Sequence, residues 1–395
     1  MLNGPFSPWP SYTTEEIDAV KSVLISNKVN YWTGQECREF EKEFASFIKS
    51  NYAITVANGT VALDLALIAL GVGKGDEVIV PPRTYLATAT SVVNSGASPV
   101  FADVDPSTQN ISIKTISPLI TEKTKAIICV HLAGWPCDMD PIIKLAENKK
   151  IFIIEDCAQA HGAFYKGRSV GSIGDIGCWS FCQDKIMTTG GEGGMVTTNN
   201  KKYWSKMWSY KDHGKNWETV YKKYHPQGFR WLHESFGTNW RMTEMQAAIG
   251  RVQLKKLPTW QKIRFQYANQ IWATARKTSI LYAPVFGNFE NNNDNTSYSL
   301  HAAYKCYVFV KGNKKLRDKI MEEINNNDIP CISGSCPEVY MEKAFDNSDF
   351  RPSKRLSVAK QLGETSLMFL CHPTLKENEI DKTCAVIKDV CKNFS

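Results

Sequence analysis

Lys185 lies between two apolar runs, 177–182 and 193–198, and a glycine-rich stretch, 190–194, follows it. Glycines let the backbone approach a flat ligand closely, and a lysine amine in such surroundings is suited to forming a Schiff base with a carbonyl compound. A flexible surface loop with a solvated lysine would look the same. Taken alone, the segment indicates carbonyl chemistry without establishing it.

An acidic pair, Glu155 and Asp156, ends another apolar run, and Gln159 follows three residues after Asp156. A carboxylate at the end of a buried strand costs desolvation energy unless a cation or hydrogen-bond donors receive it. A protonated ring nitrogen would be such a partner. The alternative is that Asp156 caps the next helix.

A third candidate follows the run 53–57, where Asn58, Gly59 and Thr60 lead directly into an apolar helical pattern. Free backbone N–H groups and the positive end of the helix dipole make such a junction an anion site, to which Thr60 adds a hydroxyl. Glycine followed by threonine before a helix is more often a plain capping turn.

A fourth candidate places an amide and a guanidinium together, at Asn239 and Arg241, immediately before another helical pattern. Arg241 could equally form a structural ion pair. Upstream, the segment 217–236 begins at Trp217, includes Arg230 and is rich in aromatic and basic residues. It suits a wall for a nucleotide or its diphosphate, and equally an ordinary loop or a dimer contact.

These candidates follow short apolar runs that alternate with helical patterns. Runs that are apolar on both faces and separated by helices predict a buried, mainly parallel sheet, and ligands bind such sheets at the carboxyl ends of the strands. The runs before Lys185 are 53–57, 77–81, 99–104, 125–131 and 151–156.

Helices are expected before the first run. Residues 13–16 fit a capping box, and the apolar residues that follow, among them Ile17 and Leu24, fall on one face at helical spacing.

The pattern changes in the last third of the chain. Residues 243–257 predict a helix that Pro258 ends; a polar stretch, 288–296, follows, and alternating apolar residues at 304–310 predict a half-exposed strand. We therefore expect two domains: residues 1–258, with N-terminal helices and the larger unit, and residues 259–395, a smaller α/β unit.

Composition narrows the class of protein. The chain has 395 residues, a formal net charge of +7 without a concentrated basic stripe, and 12 cysteines without a Cys-x-x-Cys pair. We expect no metal, no nucleic-acid partner and no membrane span, and the modest positive charge suits a small anionic substrate. The N-terminus lacks the features of a secretion signal, which favours the cytoplasm.

Four ordered motifs carry a family resemblance. They are Gly-Thr-x-Ala-Leu at 59–63, Glu-Asp-x-Ala-Gln-Ala-His-Gly at 155–162, Ser-Phe-x-x-x-Lys at 180–185 with Gly-Glu-Gly-Gly at 191–194, and Asn-x-Arg-Met-Thr-Glu at 239–244. This order resembles the DegT/DnrJ/EryC1/StrS sugar aminotransferases, which depend on pyridoxal 5'-phosphate (PLP). The resemblance implies the fold type I PLP-dependent transferase architecture: a large domain with a mainly parallel seven-stranded sheet plus a smaller C-terminal α/β domain.

The resemblance also implies roles for the reactive residues. Lys185 would hold the cofactor as a Schiff base and then move a proton between cofactor and substrate carbons. Asp156 would pair with the pyridine N–H and keep that nitrogen protonated. Gln159 would lie beside the phenolic oxygen of the cofactor.

Further residues are implied to hold the cofactor in place. Gly59, Thr60 and Ser180 would bind its phosphate, and Tyr85 would stack on its ring. Asn239 would reach the phosphate from the neighbouring subunit, which implies a homodimer with shared active sites.

The implied reaction transfers an amino group from an amino acid, L-glutamate by analogy, to a keto sugar carried by a nucleotide, with a 4-keto-6-deoxyhexose as the expected sugar. Arg241, Trp217 and Arg230 are candidate substrate contacts, and the product would enter a surface polysaccharide, such as O-antigen lipopolysaccharide, or a sugar-modified metabolite. One alternative is a PLP-dependent sugar dehydratase, whose known relatives carry histidine in place of the lysine. The other is a non-catalytic regulator that binds PLP or a sugar nucleotide.

Overall fold

The computed structural model describes residues 5–285 and 299–394, which contain two main sheets. The strands are β1 (Tyr52–Val56), β2 (Glu77–Val80), β3 (Ser98–Phe101), β4 (Thr124–Val130), β5 (Phe152–Asp156), β6 (Phe164–Tyr165), β7 (Arg168–Ser169), β8 (Ile176–Ser180), β9 (Gly194–Thr198), β10 (Leu281–Tyr282), β11 (Cys306–Val310), β12 (Cys331–Ile332) and β13 (Ser366–Phe369). The predicted stretch 288–296 lies outside the described residues.

Helices surround the sheets. They are α1 (Thr14–Ser26), α2 (Glu36–Ile48), α3 (Gly59–Leu70), α4 (Ala87–Asn94), α5 (Ile113–Ile116), α6 (Met139–Lys149), α7 (Lys201–Tyr210), α8 (Trp217–Tyr221), α9 (Glu244–Arg276), α10 (Lys314–Asn326), α11 (Ser357–Thr365) and α12 (Glu377–Lys392). Within 5–285 and 299–394, no helix combines the length and the apolarity needed to cross a bilayer.

The larger sheet has seven strands in the order β1-β9-β8-β5-β4-β2-β3, and β9 alone runs antiparallel to its neighbours. The predicted α/β fold with a mainly parallel seven-stranded sheet is thus confirmed. Register brings Val130, Asp156 and Cys178 side by side, and aligns Ser180 with Gly194 at the same edge. Asp156 and Ser180, each from one of the motifs, therefore lie at the carboxyl ends of the parallel strands, where ligands bind.

The smaller sheet is antiparallel, in the order β10-β11-β13-β12. The prediction of a half-exposed strand at 304–310 is wrong, because every residue of β11 is buried. Val308 packs with the C-terminal half of α9, whereas Tyr307 and Phe309 pack against a core that includes Ile127 of the larger sheet. Two separate cores thus cover the two faces of this strand.

Helix α9 continues through Pro258 to Arg276, so the prediction that Pro258 ends the helix is wrong. The proline is exposed, while Leu254, Leu257 and Gln261 keep the buried stripe at helical spacing on both sides of it. Tertiary packing of that stripe outweighs the local breaking effect of proline. The boundary at 258 falls inside a continuous helix, and the division into domains there stays a prediction.

The capping box at the start of α1 is present, as predicted. The buried side of the helix, however, includes Glu16 and Val23, whereas Ile17 and Leu24 are exposed. Glu16 is buried because Lys256 and Thr13 bond its carboxylate.

Replacing Pro258 by Ala should stabilise the protein by roughly 1 to 3 kcal/mol, because alanine restores an N–H donor inside a helix. The unfolded chain also gains conformational freedom without the proline, which offsets only part of this stabilisation. Urea denaturation would measure the change. Pro141→Ala is the control, since Pro141 lies in the first turn of α6, where N–H groups have no helical partner. Equal gains in both variants would contradict the argument.

Candidate active site

One cavity of about 530 Å³ opens at the carboxyl edge of the larger sheet. Segments far apart in the sequence line it, and they carry most of the predicted cofactor residues. These are Gly59, Thr60, Tyr85, Asp156, Gln159, Ser180 and Lys185.

The start of α3 forms one end of the cavity. Asn58 caps the helix by accepting a hydrogen bond from the Val61 N–H at 3.0 Å. A Cβ atom on Gly59 would lie 2.6 Å from the Cβ of Ser180, so glycine is what allows the helix start and the end of β8 to approach each other. The first-turn N–H groups and the hydroxyls of Thr60 and Ser180 thereby share one place, which suits an anion.

Asp156 ends β5 in the centre of the sheet, and its side chain is only 6% exposed. Its Oδ2 accepts a hydrogen bond from the Thr88 hydroxyl at 2.9 Å, and its Oδ1 accepts one from the Ala158 N–H at 3.1 Å. Burial raises the pKa of Asp156 above its ordinary value, and these donors offset the effect only in part. The carboxylate would therefore gain from a cation in the cavity.

Gln159 is oriented by a backbone bond. Its Oε1 accepts from the Ala133 N–H at 2.8 Å, which leaves the amide NH₂ as a donor. The Ala133 carbonyl in turn accepts from the Tyr304 N–H at 3.0 Å, and Tyr304 also lines the cavity. The segment after β4 thus positions groups from both halves of the chain.

Lys185 lies in the connection between β8 and β9, and its side chain is 15% exposed. The indole N–H of Trp9 donates to its carbonyl oxygen at 2.9 Å. Its Nζ lies 4.0 Å from Oδ1 of Asp184, and the other oxygen of Asp184 accepts from the Tyr304 hydroxyl at 2.5 Å. The amine is therefore held in the cavity instead of projecting from a free loop.

Sequence reasoning missed several lining residues: Thr84, Thr88, Asp184, Tyr304, Lys305 and Ser335. The threonines, four residues apart after β2, did carry a signal, since polar residues there face the ligand edge of a parallel sheet. The residues from the C-terminal half follow no motif and reach the cavity through tertiary packing alone.

Four predicted residues lie outside this cavity. Asn239 is exposed. Arg241 forms an ion pair with the buried Asp212 at 2.7 Å, as in the alternative that the sequence left open for it. Arg230 is exposed in the same loop region. Trp217 packs on Trp204 with ring centroids 5.8 Å apart. The predicted roles of these four residues stay predictions.

A buried cluster of His131, Glu155 and Cys157 has potential ligand atoms within 4.8 Å of one another. The Cys137 N–H donates to Nδ1 of His131 at 3.0 Å, so Nε2 carries the proton and donates to Glu155 at 3.0 Å. Burial alone would raise the pKa of Glu155, but the bond from His131 and backbone N–H groups at 171–174 hold it below its ordinary value. These contacts make His131 and Glu155 a hydrogen-bonded pair within the protein scaffold. The expected absence of a metal stays a prediction.

A lysine amine, a buried carboxylate and a helix start suited to an anion, placed around one cavity of a mainly parallel sheet, together define a PLP-dependent enzyme of the fold type I class. An imine-forming amine would suit the aldehyde of PLP, a carboxylate would suit its pyridine nitrogen, and the helix start would suit its phosphate. The residues present fit the cofactor.

A model of the DegT/DnrJ/EryC1/StrS aminotransferase family matches residues 10–388. GDP-perosamine synthase of Escherichia coli O157:H7 is 46% identical over 251 residues, which cover 62% of this chain and 65% of that protein, just under two thirds of its length. GDP-perosamine synthase of Caulobacter vibrioides is 35% identical over 356 residues, 89% of each protein.

A crystal structure of an aminotransferase from Psychrobacter cryohalolentis has a TM-score of 0.94 and 60% sequence identity to this protein, and the match covers 98% of this chain and 99% of that one. The chain belongs to the DegT/DnrJ/EryC1/StrS aminotransferase family. It is a PLP-dependent aminotransferase.

Replacing Asp156 by Asn should stabilise the cofactor-free protein at neutral pH. The raised pKa means that ionised Asp156 lowers the stability of the folded protein. In the wild type this loss develops as pH rises from about 4, the ordinary pKa of aspartate, through the folded pKa, so the advantage of Asn grows over that window. Thermal unfolding across pH would measure it.

Glu155→Gln is the matched control with the opposite sign. The pKa of Glu155 is lowered, so its loss should destabilise the protein at neutral pH, and the difference should shrink as pH falls through the folded pKa toward acid. A cofactor-free Asp156→Asn protein less stable than wild type at pH 7 would refute the assignment of an uncompensated carboxylate.

Proposed function

We propose that this aminotransferase moves an amino group from an amino acid, L-glutamate by family analogy, to the ketone of a nucleotide-linked sugar, a 4-keto-6-deoxyhexose. The observation that carries the proposal is the convergence of Lys185, Asp156 and the α3 start around one cavity in a member of this family. Two relatives whose names give a GDP-linked product support a nucleotide-bound substrate.

Bound PLP supplies an aldehyde that takes up the amino group and a ring that withdraws electrons from the reacting carbon. In our proposal Lys185 would hold that aldehyde through Nζ, and its free amine would move a proton at the reacting carbon. Asp156 holds the proton at the pyridine nitrogen. The bonds from Thr88 and Ala158 keep its carboxylate in place for this task.

The remaining cavity residues orient the cofactor. Gly59, Thr60 and Ser180 hold its phosphate at the start of α3, and the ring of Tyr85, which is 72% exposed, is free to stack on the pyridine. The NH₂ group of Gln159 donates to the phenolic oxygen, because its own oxygen is already bonded to Ala133.

We further propose a homodimer with shared sites. Tyr224, Phe229, Trp231 and Phe236 are between 78% and 99% exposed in the single chain, and solvent-exposed aromatics in this number are typical of a contact surface. Asn239 follows this segment and reaches the phosphate in the partner's site, held by the Arg241 ion pair with Asp212. Arg230 and Trp217 remain the predicted contacts of the nucleotide.

The amino sugar formed would enter polysaccharide biosynthesis, and a cytoplasmic location stays the prediction from the sequence. Lys185 argues against the dehydratase alternative, and the pairing of Lys185 with Asp156 argues against a protein that only binds.

Borohydride reduction of the yellow holoenzyme should attach the cofactor covalently to Lys185, because reduction removes the reversibility of the bond to Nζ. Peptide mass spectrometry would locate the modification. A Lys185→Ala protein should show none, and modification at another lysine of the wild type would defeat the assignment.

The substrate proposal is tested with the pyridoxamine form of the enzyme, which should return to the PLP spectrum with a nucleotide-linked keto-hexose. Binding energy from the remote nucleotide orients the ketone, so the free sugar should lose rate as well as affinity. Stopped-flow spectra with a panel of keto sugars, with and without the nucleotide, would measure both. Equal rates for free and linked sugars would sink the substrate assignment, and absence of amino transfer to any sugar would favour the binding-only alternative.

Sharing of sites is tested by mixing an Asn239→Ala chain with a Lys185→Ala chain. If Asn239 serves the partner, each heterodimer carries both lesions in one site and leaves the other intact, so an equal mixture should regain about a quarter of wild-type activity by random pairing. Activity assays after subunit exchange would show this. Proven exchange without rescue would place Asn239 in its own subunit's site.

A further inference from the structure

A second cavity, of about 670 Å³, adjoins the cofactor cavity. Asp184, Tyr304 and Lys305 line both cavities, so the two cavities meet at these side chains, which form their shared wall. The other walls are mostly apolar and come from the N-terminal segment around Trp9 and from the end of β13 onward. No step of the reaction described above uses this space.

Arg264, on α9, lines this second cavity and is only 2% exposed. Among the described residues, its Nε and Nη2 have no hydrogen-bond partner and no carboxylate lies within ion-pair distance of it. The guanidinium lies over the Trp9 ring, 4.7 Å from the centroid. Burial lowers the pKa of Arg264 to about 10, so the group stays a cation at neutral pH.

A second polar group in this cavity also lacks a partner. His372 is 4% exposed, its Nδ1 bonds to the Thr374 hydroxyl at 2.9 Å, and its Nε2 has no partner in the described chain. Burial, followed by the charge of Arg264, lowers the pKa of His372 to about 3, so it is a neutral hydrogen-bonding group. The cavity therefore presents a buried cation without a counter-ion and, at His372, a neutral polar atom without a partner among the described residues.

A buried cation without a counter-ion is costly, and an anion that enters beside it regains part of that cost. The neighbouring cofactor cavity is where the proposed amino donor reacts. Once the donor has displaced Lys185, Lys305 is the other basic side chain lining that cavity among the described residues. Lys305 and Arg264 thus mark two places for negative charge, one on the shared wall and one beyond it.

The carboxylate on the shared wall, Asp184, does not exclude an anion. Burial alone would raise the pKa of Asp184, but the charge of Lys185 at 4.0 Å, the Tyr304 hydroxyl at 2.5 Å and the charge of Lys305 hold it below its ordinary value. The carboxylate is therefore stabilised by groups that the protein itself supplies. The aromatic ring of Tyr304 and the apolar walls beyond suit a short methylene chain.

We propose that Arg264 binds the side-chain carboxylate of an acidic amino donor, while Lys305 receives its α-carboxylate. This inference rests on the proposed function, since it assigns a donor to the same reaction. It makes the second cavity a selectivity site that favours dicarboxylic over neutral amino acids.

The first test separates the two half-reactions. In Arg264→Met, the efficiency of forming the pyridoxamine form from L-glutamate should fall at least about tenfold, as expected for a lost charge-assisted bond. The efficiency with L-glutamine and L-alanine should change by less than about twofold. The second half-reaction, with the keto sugar, should be unchanged. Lys255→Met, which removes an exposed charge from the same helix, is the control.

An equal loss with acidic and neutral donors, or no loss with glutamate, would overturn the assignment. So would a wild-type preference for a neutral donor. In each case intact turnover of the pyridoxamine form with the keto sugar would leave the proposed function standing, and failure of that step alone would count against the proposed function instead.

Binding provides a second measurement that does not depend on turnover. Glutarate, a dicarboxylate without an amine, should bind the wild-type holoenzyme in calorimetry and change the Trp9 component of its fluorescence, identified by comparison with Trp9→Phe. Arg264→Lys, which keeps the charge should Arg264→Met fold poorly, should retain part of the binding. Absence of glutarate binding to the wild type would overturn the proposal.

Discussion

The Asp156 carboxylate lies inside the protein with two hydrogen-bond donors and, among the described residues, no cation within ion-pair distance. It cannot turn to solvent, because the backbone on both sides is fixed: the His131 N–H donates to the Asp156 carbonyl, and the Cys157 N–H donates to the Cys178 carbonyl. The favourable packing of the surrounding sheet offsets the desolvation free energy of this charge during folding. The site is thereby organised for a positive charge before any ligand arrives, which is how preorganised electrostatics lower a reaction barrier.

Its neighbour Glu155 shows how strand geometry separates two roles. Successive side chains of a strand point to opposite faces, so Glu155 turns away from the cavity. There it receives His131 and backbone N–H groups from 171–174 and becomes part of the scaffold. The negative charge of Glu155 is thus stabilised by several hydrogen-bond donors, whereas that of the adjacent Asp156 is stabilised by only two.

The sequence allowed the larger sheet and most of its site to be predicted, because residues such as Asp156 and Ser180 end buried strands and the topology of parallel sheets brings such ends together. It did not predict Tyr304 and Lys305, since no local pattern marks residues that reach a cavity from the distant part of the chain that carries the smaller sheet. The same reason explains β11: alternation along a strand shows two faces but not that both will be covered.

Helix α9 has a mechanical consequence. Its 33 residues form one rod about 50 Å long, with no break at Pro258. In the first third of the helix, Gln253 accepts a hydrogen bond from the Thr188 N–H at 2.8 Å and so holds the loop that carries Lys185. Eleven residues further along, the same helix carries Arg264. Because the helix is continuous between these two points, Arg264 and the loop of the reactive lysine are held in a fixed relation by one element. The backbone of α9 thus serves as a common frame for both cavities, and no hinge interrupts it at Pro258.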